Sequence, residues 1–171
     1  MFASASDATM KTVTDAGAAA SSPTVFASNV LAIATPPGNP KGITGFADLA
    51  KPDLKVVVCA PQVPCGAAEQ KIEKATGTAL KPVSQESDVK SVLSKVETGD
   101  ADAGLVYVTD VNSAGDKVQG VSFPEASQAT TNYPIAVLKN APAGDLANQF
   151  LTTVTGEQGQ KALEQAGFAK P

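Results

Sequence analysis

Cys59 and Cys65 are the only cysteines of the 171-residue chain, and the proline-containing segment A-P-Q-V-P separates them. This spacing differs from a CxxC redox motif, and because the chain has no His it offers no further soft ligand for a zinc site. Two interpretations stay open: a disulfide that closes a loop in an oxidising compartment, or two buried thiols. We favour the disulfide, because the turn between the cysteines can bring them together.

An enzyme that uses these thiols is an alternative. A helix that begins near Cys65 would lower the pKa of its thiol, so a thiol oxidoreductase using Cys59 and Cys65 is conceivable on chemical grounds. Apart from this pair the sequence predicts no enzyme, since the commonest general base, His, is absent.

Anion binding is the second chemistry that the residue types suggest. The stretch from Ser84 to Tyr107 places a helix start near Val89 and, one strand later, the hydroxyl of Tyr107. The backbone N–H groups of a helix start bind anions without a cationic side chain. All 13 basic residues are Lys, so bidentate recognition by Arg is impossible. A tight anion site in this chain must therefore use N–H groups, hydroxyls and at most a Lys.

The elements that position these groups can be read from the hydrophobic pattern. Apolar residues from Val89 to Val96 recur with helical spacing, Ser87 or Asp88 can cap the helix start, and Gly99 suits its end. Residues 104–108 follow as a short buried strand. Leu54 to Cys59 is a further strand. A helix from about Cys65 to Ala75 comes next, with Pro64 in its first turn and Gly66 where something approaches the backbone closely.

Strands and helices alternate along the whole chain, which predicts an α/β fold with largely parallel pairing. Residues 80–83 are predicted to be extended, and Glu125 to Asn132 to be a polar loop. The formal net charge is −4 and the lysines are scattered, which argues against a nucleic-acid partner.

Several motifs now resemble one family in order along the chain: F-A-S-A-S-D-A-T-M, N-V-L-A-I-A-T-P-P-G-N-P-K-G-I, V-P-C-G-A-A, D-V-K-S-V-L-S-K-V-E-T-G-D-A-D-A-G-L-V-Y-V-T-D and Y-P-I-A-V-L-K. The chain resembles the substrate-binding proteins of bacterial molybdate ABC transporters from Phe2 to about Phe168. The resemblance implies a two-lobed periplasmic-binding-protein-like α/β fold with parallel or mixed sheets. It also implies residues 1–30 plus 127–171 as lobe I and residues 31–126 as lobe II.

The resemblance further implies a ligand and its site. The ligand is molybdate or tungstate, a tetrahedral oxyanion held between the lobes, so that molybdenum is met only as the oxyanion and not as a directly bound metal. Its donors are the backbone N–H groups of Cys65 and Val89 and the hydroxyl of Tyr107. The implied partner is the membrane permease of an ABC importer. The implied location is extracytoplasmic, in the periplasm or at the cell surface, with or without a lipid anchor; the sequence itself shows no signal peptide.

At its front the sequence departs from the family pattern. Family members begin with a strand–helix–strand unit that carries two further hydroxyl donors, whereas Phe2 matches the strand after that unit. We therefore expect an incomplete lobe I, weakened binding, and exposed sheet edges that favour self-association. Two alternatives stay open beside molybdate binding: another oxyanion such as sulfate, or a folded fragment that no longer binds.

Overall fold

The computed structural model describes all residues from Met1 to Pro171, and they form two compact units. Unit 1 comprises Met1–Asn29 and Thr131–Pro171, and unit 2 comprises Val30–Thr130. The strands are β1 (Phe2–Ala3), β2 (Thr24–Asn29), β3 (Leu31–Thr35), β4 (Val56–Cys59), β5 (Ser84–Glu86), β6 (Ala103–Tyr107), β7 (Gln119–Val121) and β8 (Thr131–Ala136). The α-helices are α1 (Asp7–Asp15), α2 (Pro64–Thr76), α3 (Val89–Glu97), α4 (Val108–Ala114), α5 (Gly144–Thr155) and α6 (Glu157–Gln165). None of these helices has the length and apolar character needed to cross a membrane.

Unit 1 is built on a three-stranded antiparallel sheet in the order β1-β8-β2. Ser6 caps α1, because its side chain accepts a hydrogen bond from the Thr9 N–H at 3.1 Å. Along the outer side of β2, Ser28 forms an isolated antiparallel bridge with Ala169. The other edge is β1, which is only two residues long. Self-association through such edges stays a prediction, and sedimentation at increasing protein concentration would test it.

Unit 2 is built on a five-stranded mixed sheet in the order β5-β4-β6-β3-β7. The strands β5, β4 and β6 run parallel, whereas β3 pairs antiparallel with β6 and with β7. The expected α/β class with mixed sheets is confirmed, but the expectation of largely parallel pairing is wrong. The two pairings made by β4, with β5 and with β6, are parallel, whereas all the other strand pairings are antiparallel.

The core of unit 2 consists of aliphatic side chains, as a sequence with few aromatic residues requires. The helix α3 packs on β6 through Val92 and Val96, both of which are buried. This packing depends on Gly104 of β6, because a Cβ atom there would lie 2.7 Å from Cγ1 of Val92. The helical spacing predicted from Val89 to Val96 therefore has the expected buried stripe.

Two segments of unit 2 differ from their sequence-based predictions. The sequence predicts an extended segment at residues 80–83, whereas the strand β5 lies at residues 84–86, where the backbone pairs with β4. The segment expected as a polar loop contains a 3-10 helix over Pro124–Ala129, whose Ala126 and Ala129 are buried. This 3-10 helix packs against α2, so tertiary contact overrides the polar composition.

Glu69 is a buried acid in α2, and it carries a pH-dependent prediction. The residue is 5% exposed, and its burial, with a smaller contribution from repulsion by Glu73, raises the pKa of Glu69 from 4.5 to about 7. The folded chain thus binds a proton more tightly than the unfolded chain does. Stability should therefore fall as the pH rises from about 4.5 to about 7.

We expect Glu69→Gln to raise the free energy of unfolding at pH 8 by roughly 1–3 kcal/mol, because each unit by which burial raises the pKa corresponds to about 1.4 kcal/mol. At pH 4, where Glu69 is neutral in both states, the variant and the parent should match. Urea unfolding at the two pH values measures this difference. Glu157→Gln, at an exposed position of α6, is the matched control and should show no such contrast. Equal effects of Glu69→Gln at both pH values would contradict the prediction.

Candidate anion-binding site

Three helices of unit 2 begin at one edge of its sheet. The strand β4 leads into α2, β5 leads into α3, and β6 leads into α4. Because these three strands are adjacent and parallel, their carboxyl ends lie at the same edge, where ligands bind in open α/β sheets. The topology therefore collects the amino termini of α2, α3 and α4 along one side of unit 2.

The strand register places the ends of these strands side by side. Cys59 of β4 is the partner of Glu86 of β5, and the Ala60 N–H donates to the Glu86 carbonyl at 2.7 Å. On the other side of β4, Val57 is the partner of Gly104 of β6. Cys65, Val89 and Tyr107, the three residues singled out from the sequence, belong to the segments that begin or end at this edge.

The start of α2 is fastened to the end of β4. Cys59 and Cys65 form a disulfide, with a Cα–Cα distance of 5.7 Å, and both residues are buried. Gly66 packs against the same strand end, since a Cβ atom on it would lie 2.7 Å from the Cys59 carbonyl oxygen and still closer to that of Ala60. The neighbour that requires a glycine here is thus the chain's own backbone.

The same helix start keeps its N–H groups available. The N-cap residue is Val63, whose side chain accepts no hydrogen bond, and Pro64 at the first helical position has no N–H. The N–H groups of Cys65 and Gly66 have no acceptor within the chain. They can therefore donate to an anion, which the helix dipole attracts.

The start of α3 carries an acidic cap. Oδ1 of Asp88 accepts from the Ser91 N–H at 2.9 Å, and Oδ2 accepts from the Ser91 hydroxyl at 2.9 Å. The hydrogen bond from the Ser91 N–H lowers the pKa of Asp88 most, and the hydrogen bond from the Ser91 hydroxyl lowers it further. The cap leaves the half-buried Val89 with an N–H that no protein group accepts. Of the two predicted cap residues, Ser87 and Asp88, the structure uses Asp88, which accepts from a donor two positions beyond Val89.

Removing this cap should cost stability. We expect Asp88→Ala to lower the free energy of unfolding by about 1 kcal/mol, because the Ser91 N–H loses its acceptor. Chemical denaturation measures the change. Asp88→Asn keeps a side-chain oxygen at the cap and is the matched control, with a loss of only a few tenths of a kcal/mol expected. Equal destabilisation by the two variants would assign the effect to charge rather than to the cap.

Tyr107 ends β6 and immediately precedes α4. It is buried, and its backbone N–H donates to Oδ2 of Asp110 at 2.9 Å. Asp110 was missed in the sequence analysis. The signal that could have found it is its position three residues after the residue that precedes the helix, where an acidic side chain reaches back to the N-cap N–H. Asp110 thereby fixes the backbone from which the Tyr107 side chain extends.

The formal charges around this edge are few and mixed. Burial raises the pKa of Asp110, while the Tyr107 N–H bond and the charge of Lys90 act in the opposite direction. The edge also holds the Asp88 carboxylate. It therefore has no net excess of cationic side chains, and an anion that binds here must be recognised by neutral donors.

A comparison with protein families shows the family of the chain. The family model described as bacterial extracellular solute-binding protein matches residues 1–169. The chain is 53% identical over 171 residues to the molybdate-binding protein ModA of Mycobacterium tuberculosis. The match covers the whole chain but 66% of that relative, so the chain spans slightly less than two thirds of the relative's length.

Solved structures with the same fold include two from molybdate systems. The substrate-binding domain of a putative molybdenum ABC transporter from Clostridium difficile superposes with a TM-score of 0.72 at 27% identity, and the match covers 99% of this chain and 76% of that one. The periplasmic molybdate-binding protein of Azotobacter vinelandii superposes with a TM-score of 0.83 at 21% identity, with 99% and 78% covered. The second likeness shows the fold alone.

Proposed function

Because the chain belongs to the family of bacterial extracellular solute-binding proteins, we propose that it binds molybdate or a closely similar tetrahedral oxyanion as the solute-binding part of an ABC importer. The observation that carries the proposal is the 53% identity, over the whole chain, to a relative named as a molybdate-binding protein. Binding rather than catalysis is the proposed activity.

The edge of unit 2 supplies suitable donors for such a ligand. In the proposed site the N–H groups of Cys65 and Val89 and the hydroxyl of Tyr107 donate to oxyanion oxygens. The N–H of Gly66, which also has no acceptor within the chain, is a further proposed donor. A fully ionised oxyanion accepts hydrogen bonds at every oxygen, so a cluster of donors suits it without a cation. The absence of Arg and His from the whole sequence is consistent with this mode of recognition.

The biological setting follows from the same family. We propose that the protein acts outside the cytoplasmic membrane and delivers its ligand to a membrane permease. The disulfide between Cys59 and Cys65 is consistent with an oxidising compartment. Units 1 and 2 are proposed to be the two lobes of the binding protein, and each has its own sheet.

Calorimetric titration of the chain with molybdate, tungstate and sulfate tests the proposal. We expect saturable binding of molybdate and tungstate, with sulfate weaker by tenfold or more because it is smaller than both. Tighter binding of sulfate than of molybdate would mean that the ligand of this site is sulfate and not molybdate. No heat with any of the three anions, checked by a thermal-shift assay at millimolar ligand, would make the chain a folded protein that does not bind.

Thiol chemistry is tested by the same assay. Both cysteines are buried and joined in the disulfide, with Cys59 1% and Cys65 4% exposed. If binding is the function, the native disulfide-bonded chain, which has no free thiol for iodoacetamide to alkylate, should bind the anion and show no disulfide turnover. Turnover of a model disulfide substrate by the chain after reduction with a dithiol, abolished when iodoacetamide alkylates the freed thiols, would instead favour an oxidoreductase.

A further inference from the structure

The disulfide lies at a position where it can control the geometry of the proposed site. It connects the last residue of β4 to the second residue of α2, and it closes the short loop from Ala60 to Pro64. Its Cys65 member also carries one of the proposed N–H donors. The covalent bond therefore holds the backbone of a proposed ligand contact to the central sheet of unit 2.

The other two helix starts at this edge are held by side-chain hydrogen bonds. Asp88 caps α3 through the Ser91 N–H, and Asp110 accepts from the N–H of Tyr107 before α4. The helix α2 has no equivalent, since the side chain of Val63 accepts no hydrogen bond. Within the loop that leads into α2, the hydrogen bond from the Val63 N–H to the Ala60 carbonyl is the backbone contact that closes the turn.

We propose that the Cys59–Cys65 disulfide is a positioning element for oxyanion binding, which replaces the missing cap and holds the N–H groups of Cys65 and Gly66 toward the ligand. This inference rests on the proposed function. Without the bond the first turn of α2 can move away from β4, and ordering it again on binding reduces the affinity. The side chains of the two cysteines contribute through their bond and not as ligands.

A thermodynamic cycle tests this role. Cys59→Ala, Cys65→Ala and the double variant are each titrated with molybdate, after removal of the reductant that keeps the single thiols reduced. We expect all three to bind about tenfold more weakly than the native chain and equally to one another within twofold, because each removes the same bond. Native affinity in all three variants would overturn the inference, and so would losses that multiply in the double variant.

Val58→Ala is the matched control. Val58 is the fully buried neighbour of Cys59 in β4, so its truncation should reduce stability. It leaves the disulfide intact, and we expect the molybdate affinity to stay within twofold of the native value. A tenfold loss in this control would show that any weakening of β4 impairs binding, which would contradict a specific role for the bond.

Amide NMR spectra separate positioning from a general structural effect. Molybdate should shift the amide signals of Cys65, Gly66 and Val89 in the native chain. In Cys59→Ala the response of Cys65 and Gly66 should shrink while that of Val89 remains. Equal loss at all three amides would overturn the inference.

A measurement without ligand keeps the two proposals apart. The heteronuclear NOE of the Cys65 and Gly66 amides should fall in Cys59→Ala and stay high in Val58→Ala. If the native chain binds no oxyanion but the Cys65 and Gly66 amides become mobile in Cys59→Ala, the proposed function fails. The positioning of α2 by the disulfide then stands. If the native chain binds molybdate and the Cys65 and Gly66 amides stay ordered in Cys59→Ala, the proposed function stands and the inference fails.

Discussion

Gly66→Ala should weaken molybdate binding by about a hundredfold or more and lower the free energy of unfolding by about 2–4 kcal/mol. The added Cβ would lie 2.7 Å from the Cys59 carbonyl oxygen and closer still to that of Ala60. Both obstacles are backbone atoms of a strand end and its loop, so they cannot rotate away as a flexible side chain would. The first turn of α2 must therefore move, and it takes the N–H groups of Cys65 and Gly66 with it. Two displaced donors, each contributing roughly 1.5–3 kcal/mol to binding of a charged ligand, account for the expected loss.

Gly144→Ala is the matched control for this experiment. Gly144 is also in the first turns of a helix, α5, and a Cβ there would meet nothing within 4 Å. Alanine should therefore be neutral or slightly stabilising at this position, by up to about 1 kcal/mol. Calorimetric titration and urea unfolding of both variants give the comparison. A Gly66→Ala variant with native affinity and stability would show that the helix start tolerates the shift.

Tyr107→Phe should weaken molybdate binding by roughly ten- to hundredfold. The change removes one hydroxyl donor from the proposed site, and a hydrogen bond to a charged group contributes roughly 1.5–3 kcal/mol. The ring keeps its shape and stays buried, so the packing of β6 should survive. The bond from the Tyr107 N–H to Asp110 also survives, because it belongs to the main chain.

The control for this variant is Tyr133→Phe in unit 1. Tyr133 lies in β8, where its ring meets those of Phe26 and Phe168 edge to face. It is the chain's other tyrosine, and it belongs to the other unit, so the same chemical change is made at a residue that is not one of the proposed donors. We expect molybdate affinity to change less than threefold. If Tyr107→Phe and Tyr133→Phe weaken binding equally, the hydroxyl of Tyr107 has no special part in recognition.

The sequence predicted best those elements whose local pattern and tertiary role agree. The helix predicted from Val89 to Val96 and its cap, which is Asp88, are present in the structure. The buried strand predicted at residues 104–108 is also present, at Ala103–Tyr107. The family and its α/β class were also accessible, because the motifs recur in order along the chain. In each case the residues near one another in sequence contain the information needed.

Features that depend on distant partners were not predictable in this way. The strand β5 exists because β4 lies beside it, and the pairing of β3 with β6 and β7 decides the mixed character of the sheet. The 3-10 helix at Pro124–Ala129 is stabilised by contact with α2. Similarly, the need for glycine at position 66 was predicted, but its cause is the backbone at Ala60. A single sequence does not state which segments will become neighbours.

The proposed use of main-chain donors would have an evolutionary consequence. Substitution of Val89 changes a side chain but retains the N–H, so this position can drift while recognition is preserved. Selection should instead act on the residues that hold the backbone in place, such as Gly66 and Asp110. A search for binding proteins of this kind that looks only for matching ligand side chains would then pass over true members. The supporting positions would be the better markers of inherited binding.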